Sequence, residues 1–341
     1  MSDSRAEDWR ARGEYFSWRS DDSDADPVEV FHLEAGDPEA TPLLLVHGFP
    51  TSSIDWYEVV DRLAERFRVC ALDFPGYGFS DKPVGWGYSL ERDARLLEHY
   101  LSEVVGAESA IVVAHDRGDS VALILAAGAS AVRVEHLCLS NGNIFLPLSN
   151  LTMAQRVMLD PKTGPEMLKG ATADALAQGM GAATFFPPRG ADDPAIQALA
   201  ETFAHQDGVR VIHETIQYLV ERSADEERWL EALAQSDVPT TLVWGLNDTV
   251  SPPRVASWVW NQHLMLKPGR NSLYFVSDAG HYLQEDRPDA YVDAVLHALD
   301  ATDDQEPGAI VGERGAPVLV DRSRARLPSA AEVLEGAEGS T

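Results

Sequence analysis

Short runs of consecutive apolar residues alternate along the first half of the chain with stretches in which apolar residues recur every three or four positions. The runs are Pro42 to Val46 (PLLLV), Arg68 to Phe74, Ala110 to Ala114 (AIVVA) and His136 to Ser140 (HLCLS). Each is too short for a stable helix and apolar at successive positions, which predicts strands covered on both faces of a parallel sheet. Between them, Asp55 to Arg66, Leu90 to Val105 and Val121 to Ala127 carry helical spacing, and Val28 to Leu33 alternates as an earlier strand. The alternation stops between residues 147 and 234, where helical patterns and turn residues replace it. It resumes with strands at Pro239 to Gly245 and Ser272 to Ser277 and a helix at Pro288 to Leu299. Strands alternating with helices predict an α/β fold, a mostly parallel sheet with helices on both faces. The core is expected at 28–146 and 235–300, with 147–234 as a helical cap inserted into it. Residues 1–27 read as a polar lead-in. Past residue 300 periodicity fades into Asp, Glu, Gly, Pro and Ala, which predicts a disordered acidic tail over 301–341.

Charge narrows the partners. With 55 acidic and 27 basic residues the net charge is -28, a field that repels nucleic acid and anionic membranes. The longest apolar stretch, Val121 to Val132, is too short to span a bilayer, and the N-terminus lacks a basic-then-apolar signal pattern. A cytoplasmic protein is expected, acting on a small molecule. The two cysteines, Cys70 and Cys138, sit inside apolar runs as small buried thiols, which leaves no disulfide framework or metal cluster. No metal or organic cofactor is implied.

In an open α/β sheet, ligands sit beyond the carboxyl ends of the strands. The polar residues that follow the predicted strands are therefore the candidates: His47-Gly48-Phe49-Pro50, Asp73, His115-Asp116-Arg117-Gly118, Asn141-Gly142-Asn143, Asp248 and His281. Ala114-His115-Asp116-Arg117-Gly118 has the small-x-nucleophile-x-small form of a sharp strand-to-helix turn that exposes its central side chain. The alternative is that Asp116 only caps the following helix. As a nucleophile, Asp116 would have the Arg117 and Phe49 backbone N–H groups facing a developing oxyanion. Asp248, after LVWG, and His281, after SLYFVS, follow in the order nucleophile, acid, histidine. An acid placed after HLCLS instead has only Asn141 and Asn143 to draw on, and neither carries charge, so Asp248 is the better candidate. His47, Trp56, His115, Asn141 and Asn143 are expected to line the substrate pocket.

With these residues in place the sequence resembles the aspartate-nucleophile α/β-hydrolases, the epoxide hydrolase and haloalkane dehalogenase group. Within that group it is most similar to the mesoderm-specific transcript proteins. The resemblance runs from Leu44 to Tyr291 through HGFPTSSIDWY, ALDFPGYGFSDKP, HDRGDSVA, LCLSNGNIF, IQYLVER and GHYLQEDRP. It implies an α/β-hydrolase fold and a covalent intermediate on Asp116, with His281 as base and Asp248 as its partner.

A carboxylate nucleophile restricts the reaction. Attack on a carboxylester would give a mixed anhydride, whereas attack on an sp³ carbon gives an ordinary ester that water hydrolyses. The substrate is then a small apolar epoxide or alkyl halide. The dehalogenase pattern places a tryptophan after the nucleophile and an asparagine in the first loop, where this chain has Arg117 and Phe49. The HDRG string is similar to fluoroacetate dehalogenases, but their second carboxylate-binding arginine would fall at Ser120. A salt bridge to a core acid such as Asp119 is the plain alternative for Arg117. Epoxide hydrolases protonate the leaving oxygen from cap tyrosines, and Tyr218 in IHETIQYLVER matches one of them. No tyrosine lies between Leu101 and Gln217, which leaves His205 or His213, or a single donor. Epoxide opening to a diol is the leading expectation, with haloalkane hydrolysis and a hydrolase-fold binding protein without turnover as alternatives.

Overall fold

The computed structural model describes residues 4–20, 26–128, 130–301 and 317–322. Nine strands form one sheet: β1 (Glu14–Trp18), β2 (Val28–Ala35), β3 (Pro42–Val46), β4 (Arg68–Leu72), β5 (Ser109–His115), β6 (Arg133–Ser140), β7 (Thr240–Gly245), β8 (Ser272–Val276) and β9 (Pro317–Arg322). Their order is β1-β2-β4-β3-β5-β6-β7-β8-β9. The pairs from β4 through β8 are parallel, while β1, β2 and β9 are joined antiparallel.

The apolar runs became the central strands for the reason their composition gives. Leu43 to Val46, Val69 to Leu72 and all six residues of β7 are buried, so each side chain finds an apolar partner whichever face it points to. Because β3 lies between β4 and β5, and β5 pairs with β6, the ends of β3, β5, β6 and β7 converge on one edge of the sheet. The segment between β6 and β7 is helical, with helices at Met153–Leu159, Thr163–Leu168, Ala173–Thr184, Pro194–Ala204 and Tyr218–Gln235. Among the described residues no helix is long and apolar enough to cross a membrane.

Two terminal segments depart from expectation. The polar lead-in holds a helix, Arg5–Ala11, started by a capping box between Ser4 and Glu7, and the edge strand β1. Trp9 on that helix is buried and donates its indole N–H to Ser53 Oγ at 3.0 Å. In the tail expected to be disordered, Pro317–Arg322 adds an antiparallel strand to β8. Pro317 and Leu319 face inward while Val318 and Val320 face out. Ala301, the first residue of that tail, is buried, and residues 302–316 and 323–341 lie outside the described residues.

Candidate active site

Asp116 stands between β5 and the helix Arg117–Ala127 with φ 53° and ψ -116°. A non-glycine residue with that backbone is strained and persists only where its surroundings fix it. Here they do. A side chain on Gly118 would lie 2.5 Å from the Val46 carbonyl oxygen, and one on Gly48 would lie 2.6 Å from Asp116 Cβ. Both glycines therefore let the β3 loop and the turn press together, and the Asp116 carboxylate emerges at the strand ends.

The two carboxylate oxygens have different surroundings. Oδ2 accepts the Phe49 N–H at 2.8 Å, and the Arg117 N–H also bonds to the carboxylate. Oδ1 lies 3.6 Å from His281 Nε2 and 3.5 Å from Asn143 Nδ2. Burial raises the pKa of Asp116, an effect opposed by the His281 charge and the two amides.

Nδ1 of His281 lies 3.0 Å from Asp248 Oδ2. Asp248 is held from every side by donors. Its Oδ1 accepts the Val250 and Ser251 N–H groups at 2.7 and 2.9 Å, and its Oδ2 also accepts Asn141 Nδ2 at 2.9 Å. Burial alone would lower the pKa of His281, but the Asp248 carboxylate, its hydrogen bond and the Asp116 charge raise it to about 9. The raised pKa favours the imidazolium form of the ring at neutral pH.

The expected pocket residues are placed differently. A cavity of about 300 Å³ is walled by Asp116, His281, Phe49 and Tyr282 together with Met158, Leu176 and Met180 from the helical segment. None of His47, Trp56, His115, Asn141 and Asn143 forms part of that wall. His47 donates Nδ1–H to its neighbour's carbonyl and accepts the Phe74 N–H at 3.0 Å. Its burial lowers the pKa to about 3, so it is a neutral brace for the Phe49 loop. His115 Nε2 donates to the His281 carbonyl at 2.8 Å. Asn141 spends its amide on Asp248, the Gly280 carbonyl and the Gly245 N–H. Trp56 is fully buried against Tyr291. His47, His115 and Asn141 stand at or just past strand ends and bond to the loops that carry Phe49, His281 and Asp248 from behind the cavity. Asn143 is the one that reaches Asp116.

Arg117 is turned away from the cavity. Its guanidinium pairs with Asp93, rather than with Asp119, and lies over the rings of Phe74, Tyr77 and Tyr218 at 5.3 to 5.5 Å. Both members of the ion pair are buried, so removing one leaves a buried charge without its partner. Arg117→Leu is expected to lower the unfolding free energy by about 3–5 kcal/mol in urea titration.

Tyr218, from the first turn of Tyr218–Gln235, packs on Phe49 at 5.7 Å between ring centres and is 2% exposed. Its buried hydroxyl has the Asn143 side chain as its polar neighbour. Burial, then the Asp116 charge, holds its pKa well above the ordinary range, so it is a protonated donor beside the carboxylate. His205 packs edge-on against Phe79, and none of Tyr218, His205 and His213 belongs to the cavity wall, Tyr218 lying behind Phe49, which does.

Residues that sequence reasoning did not single out anchor the histidine loop. Asp286 Oδ2 accepts the Gly280 and Phe186 N–H groups at 2.8 and 2.9 Å, and the Thr184 carbonyl accepts the His281 N–H at 2.8 Å. Arg189 binds the Glu285 carbonyl and the Asp286 carboxylate, and Arg5 pairs with Glu285. The adjacent acids in GHYLQEDRP were the available signal, since charges beside a functional histidine are buried only where they are paired.

Comparison with known proteins bears on the fold. The protein named "Putative hydrolase LipZ" of Mycobacterium tuberculosis is 32% identical over 271 residues, covering 78% of this chain and 91% of that protein. The mesoderm-specific transcript protein of Mus musculus is 28% identical over 301 residues, covering 84% of this chain and 86% of that protein. Haloalkane dehalogenase 2 of Mycobacterium bovis is 27% identical over 261 residues, covering 75% of this chain and 86% of that protein. A family model described as the alpha/beta hydrolase fold matches residues 41–288, the span that carries Asp116, Asp248 and His281. The chain belongs to the α/β hydrolase fold family.

Proposed function

We propose that the protein is a hydrolase that opens an epoxide to a diol through an ester on Asp116, with the helices of residues 147–234 as a cap over the site. The supporting observation is the Asp116 carboxylate itself. Oδ2 accepts the Phe49 N–H, the Arg117 N–H also bonds to the carboxylate, and Oδ1 is left beside His281 Nε2 and Asn143 Nδ2. Oδ1 is then the attacking atom, and Oδ2 already occupies the hole in which the oxyanion of ester hydrolysis would form.

The proton balance also supports an epoxide. The resting site holds the Asp116 carboxylate, the His281 imidazolium and the Tyr218 phenol. Attack of Oδ1 on a ring carbon breaks that carbon's bond to the ring oxygen, which leaves with the electron pair and takes the Tyr218 proton. The imidazolium proton restores the phenol and leaves His281 neutral. A water then gives its proton to His281 Nε2 and attacks Cγ, the tetrahedral intermediate collapses on Oδ2, and the diol departs. Ester hydrolysis to a carboxylate yields one proton, which His281 retains, so the resting state is restored without net acid. The mostly apolar wall, with Met158 and Met180 as flexible members, suits a neutral apolar substrate.

The second reading is an alkyl halide, favoured by the similarity to haloalkane dehalogenase 2. It uses the same attack on carbon but expels halide and releases one proton per turnover. The test is turnover of neutral epoxides and alkyl bromides in weakly buffered, oxygen-18-enriched water. The epoxide reading expects diol, constant pH, and label entering Asp116 during the first turnover. Halide with acid release moves the assignment to the second reading. Product from either panel without label in Asp116 excludes the ester for both.

A further inference from the structure

We propose that the substrate carries an unbranched alkyl chain, which lies along the helix Ala173–Thr184, and that Gly179 is the residue that admits it. The inference rests on the Asp116 reaction proposed above and deepens it by naming the substrate class. That helix gives the cavity two adjacent rows. Leu176 and Met180 form one; Ala175, Gly179 and Ala183 form the other, four residues apart and so one above the next on a single face. Small residues beside bulky ones leave a furrow one side chain wide. Its inner end is fixed, because the Thr184 carbonyl accepts the His281 N–H at 2.8 Å. From Ala183 the row runs back about 12 Å to Ala175, at the rise of an α-helix. An extended chain advances about 1.2 Å per bond, so the furrow takes about ten carbons.

Within the row, Gly179 has no packing reason to be glycine. Glycine inside a helix weakens it and is kept where something crowds the position. Gly118, Gly164 and Gly181 are of that kind, since a Cβ on each would lie 2.4 to 2.6 Å from a backbone oxygen. A Cβ on Gly179 would meet no atom within 4 Å, although the residue belongs to the cavity wall, and its backbone is ordinary right-handed helix. What the missing side chain leaves is room in the furrow. The chemistry of the wall fits the same occupant. Among the described residues its only charged members are Asp116 and His281, which are 2% and 3% exposed and reach in from the inner end. Thr184 donates its hydroxyl to the Met180 carbonyl at 2.8 Å, and Thr152 and Gln155 form the capping box that starts Met153–Leu159. Polar groups bound to their own helices offer a ligand little, so length and apolar contact select it.

The test measures kcat/KM for 1,2-epoxyalkanes of about four to about ten carbons, alongside calorimetric binding of the matching 1-alkanols, which carry the chain without an electrophile. In the wild type both should climb by up to about fourfold per added methylene, the gain from burying one, and level near ten carbons. Gly179→Leu fills the furrow one turn from Ala183, so the ratio of long-chain to short-chain values should fall about 10²-fold in both measurements. Leucine favours a helix over glycine, so this variant is expected to unfold no earlier than the wild type. Gly179→Ala should shift the ratio less, in the same direction. Gln178→Leu adds bulk one position along, outside the cavity wall, and should keep the wild-type ratio. A flat chain-length dependence in the wild type, or an unchanged one in Gly179→Leu, overturns the proposal. So does an equal loss of short and long chains in Gly179→Leu, which marks general damage to the site. Alkanol binding that follows chain length without epoxide turnover supports the furrow and overturns the epoxide reading, while turnover with a flat chain dependence does the reverse.

Discussion

Replacing His281 by alanine is expected to stop the protein after a single event and leave Asp116 carrying its substrate. Attack by the carboxylate needs Oδ1 ionised and the substrate carbon in line; losing the His281 charge raises the Asp116 pKa further, but the Phe49 and Arg117 amides still oppose burial. Hydrolysis of the resulting ester requires the imidazole ring, because water becomes a sufficient nucleophile only as its proton is taken by Nε2, a contribution worth about 10²–10⁴-fold. Ester decay should therefore fall by that factor while ester formation survives. Intact mass after exposure to epoxides would show an added mass equal to the whole epoxide, mapped to Asp116. An alkyl halide would add the alkyl group without its halogen. The pH dependence has a defined sign. In the resting protein His281 is held up to about 9 by Asp248 and Asp116. Esterification removes the Asp116 charge, so the pKa falls, and the base is the neutral ring. In the unaltered protein ester decay should rise with pH through a midpoint below 9 and then level. A midpoint at or above 9 would mean that the Asp116 charge persists in the intermediate, which an ester does not allow.

What the sequence made legible follows from what each element needs. The central strands need burial on both faces, and PLLLV or AIVVA states that directly. The edge strands do not: Glu14 to Trp18 leaves most of its residues exposed or half-buried, and Pro317 to Val320 shows only two inward positions within an acidic tail. Their existence depends on pairing with β2 and β8, which no local pattern records. The same division runs through the site. The turn at Asp116 was visible because strain demands small neighbours, and Asp248 and His281 because they follow strands. Which way a residue beyond a strand points was not visible. His47, His115 and Asn141 satisfy buried backbone groups, while Asn143, two positions from Asn141, faces the carboxylate. The cavity wall was hidden for a further reason, since Met158, Leu176 and Met180 meet it through the packing of separate helices rather than through their own spacing. Arg117 found Asp93, 24 positions away on the Leu90–His99 helix, instead of the near neighbour Asp119.

Asp248→Asn is expected to reduce turnover about 10⁴-fold while preserving the fold, the scale seen when an asparagine replaces the acid that orients a catalytic histidine. Every group bonded to Asp248 is a donor: the Val250 and Ser251 N–H groups on Oδ1, and Asn141 Nδ2 and His281 Nδ1 on Oδ2. A carboxylate can accept from all four, but an amide cannot. If the oxygen of the introduced amide keeps the two backbone donors, its NH₂ faces His281, and the ring must accept at Nδ1 and carry its proton on Nε2. That tautomer cannot take a proton from water. Turning the amide over restores the histidine contact only by setting the NH₂ against two backbone N–H groups. Loss of the carboxylate charge also removes the main opposition to burial, so the His281 pKa should drop from about 9, as imidazole NMR titration would report. The loss should fall on ester decay, with the intermediate accumulating as in His281→Ala. If ester formation falls by the same factor instead, Asp248 acts by holding the loop of residues 245–251 in place, and its role in the proton transfer is refuted.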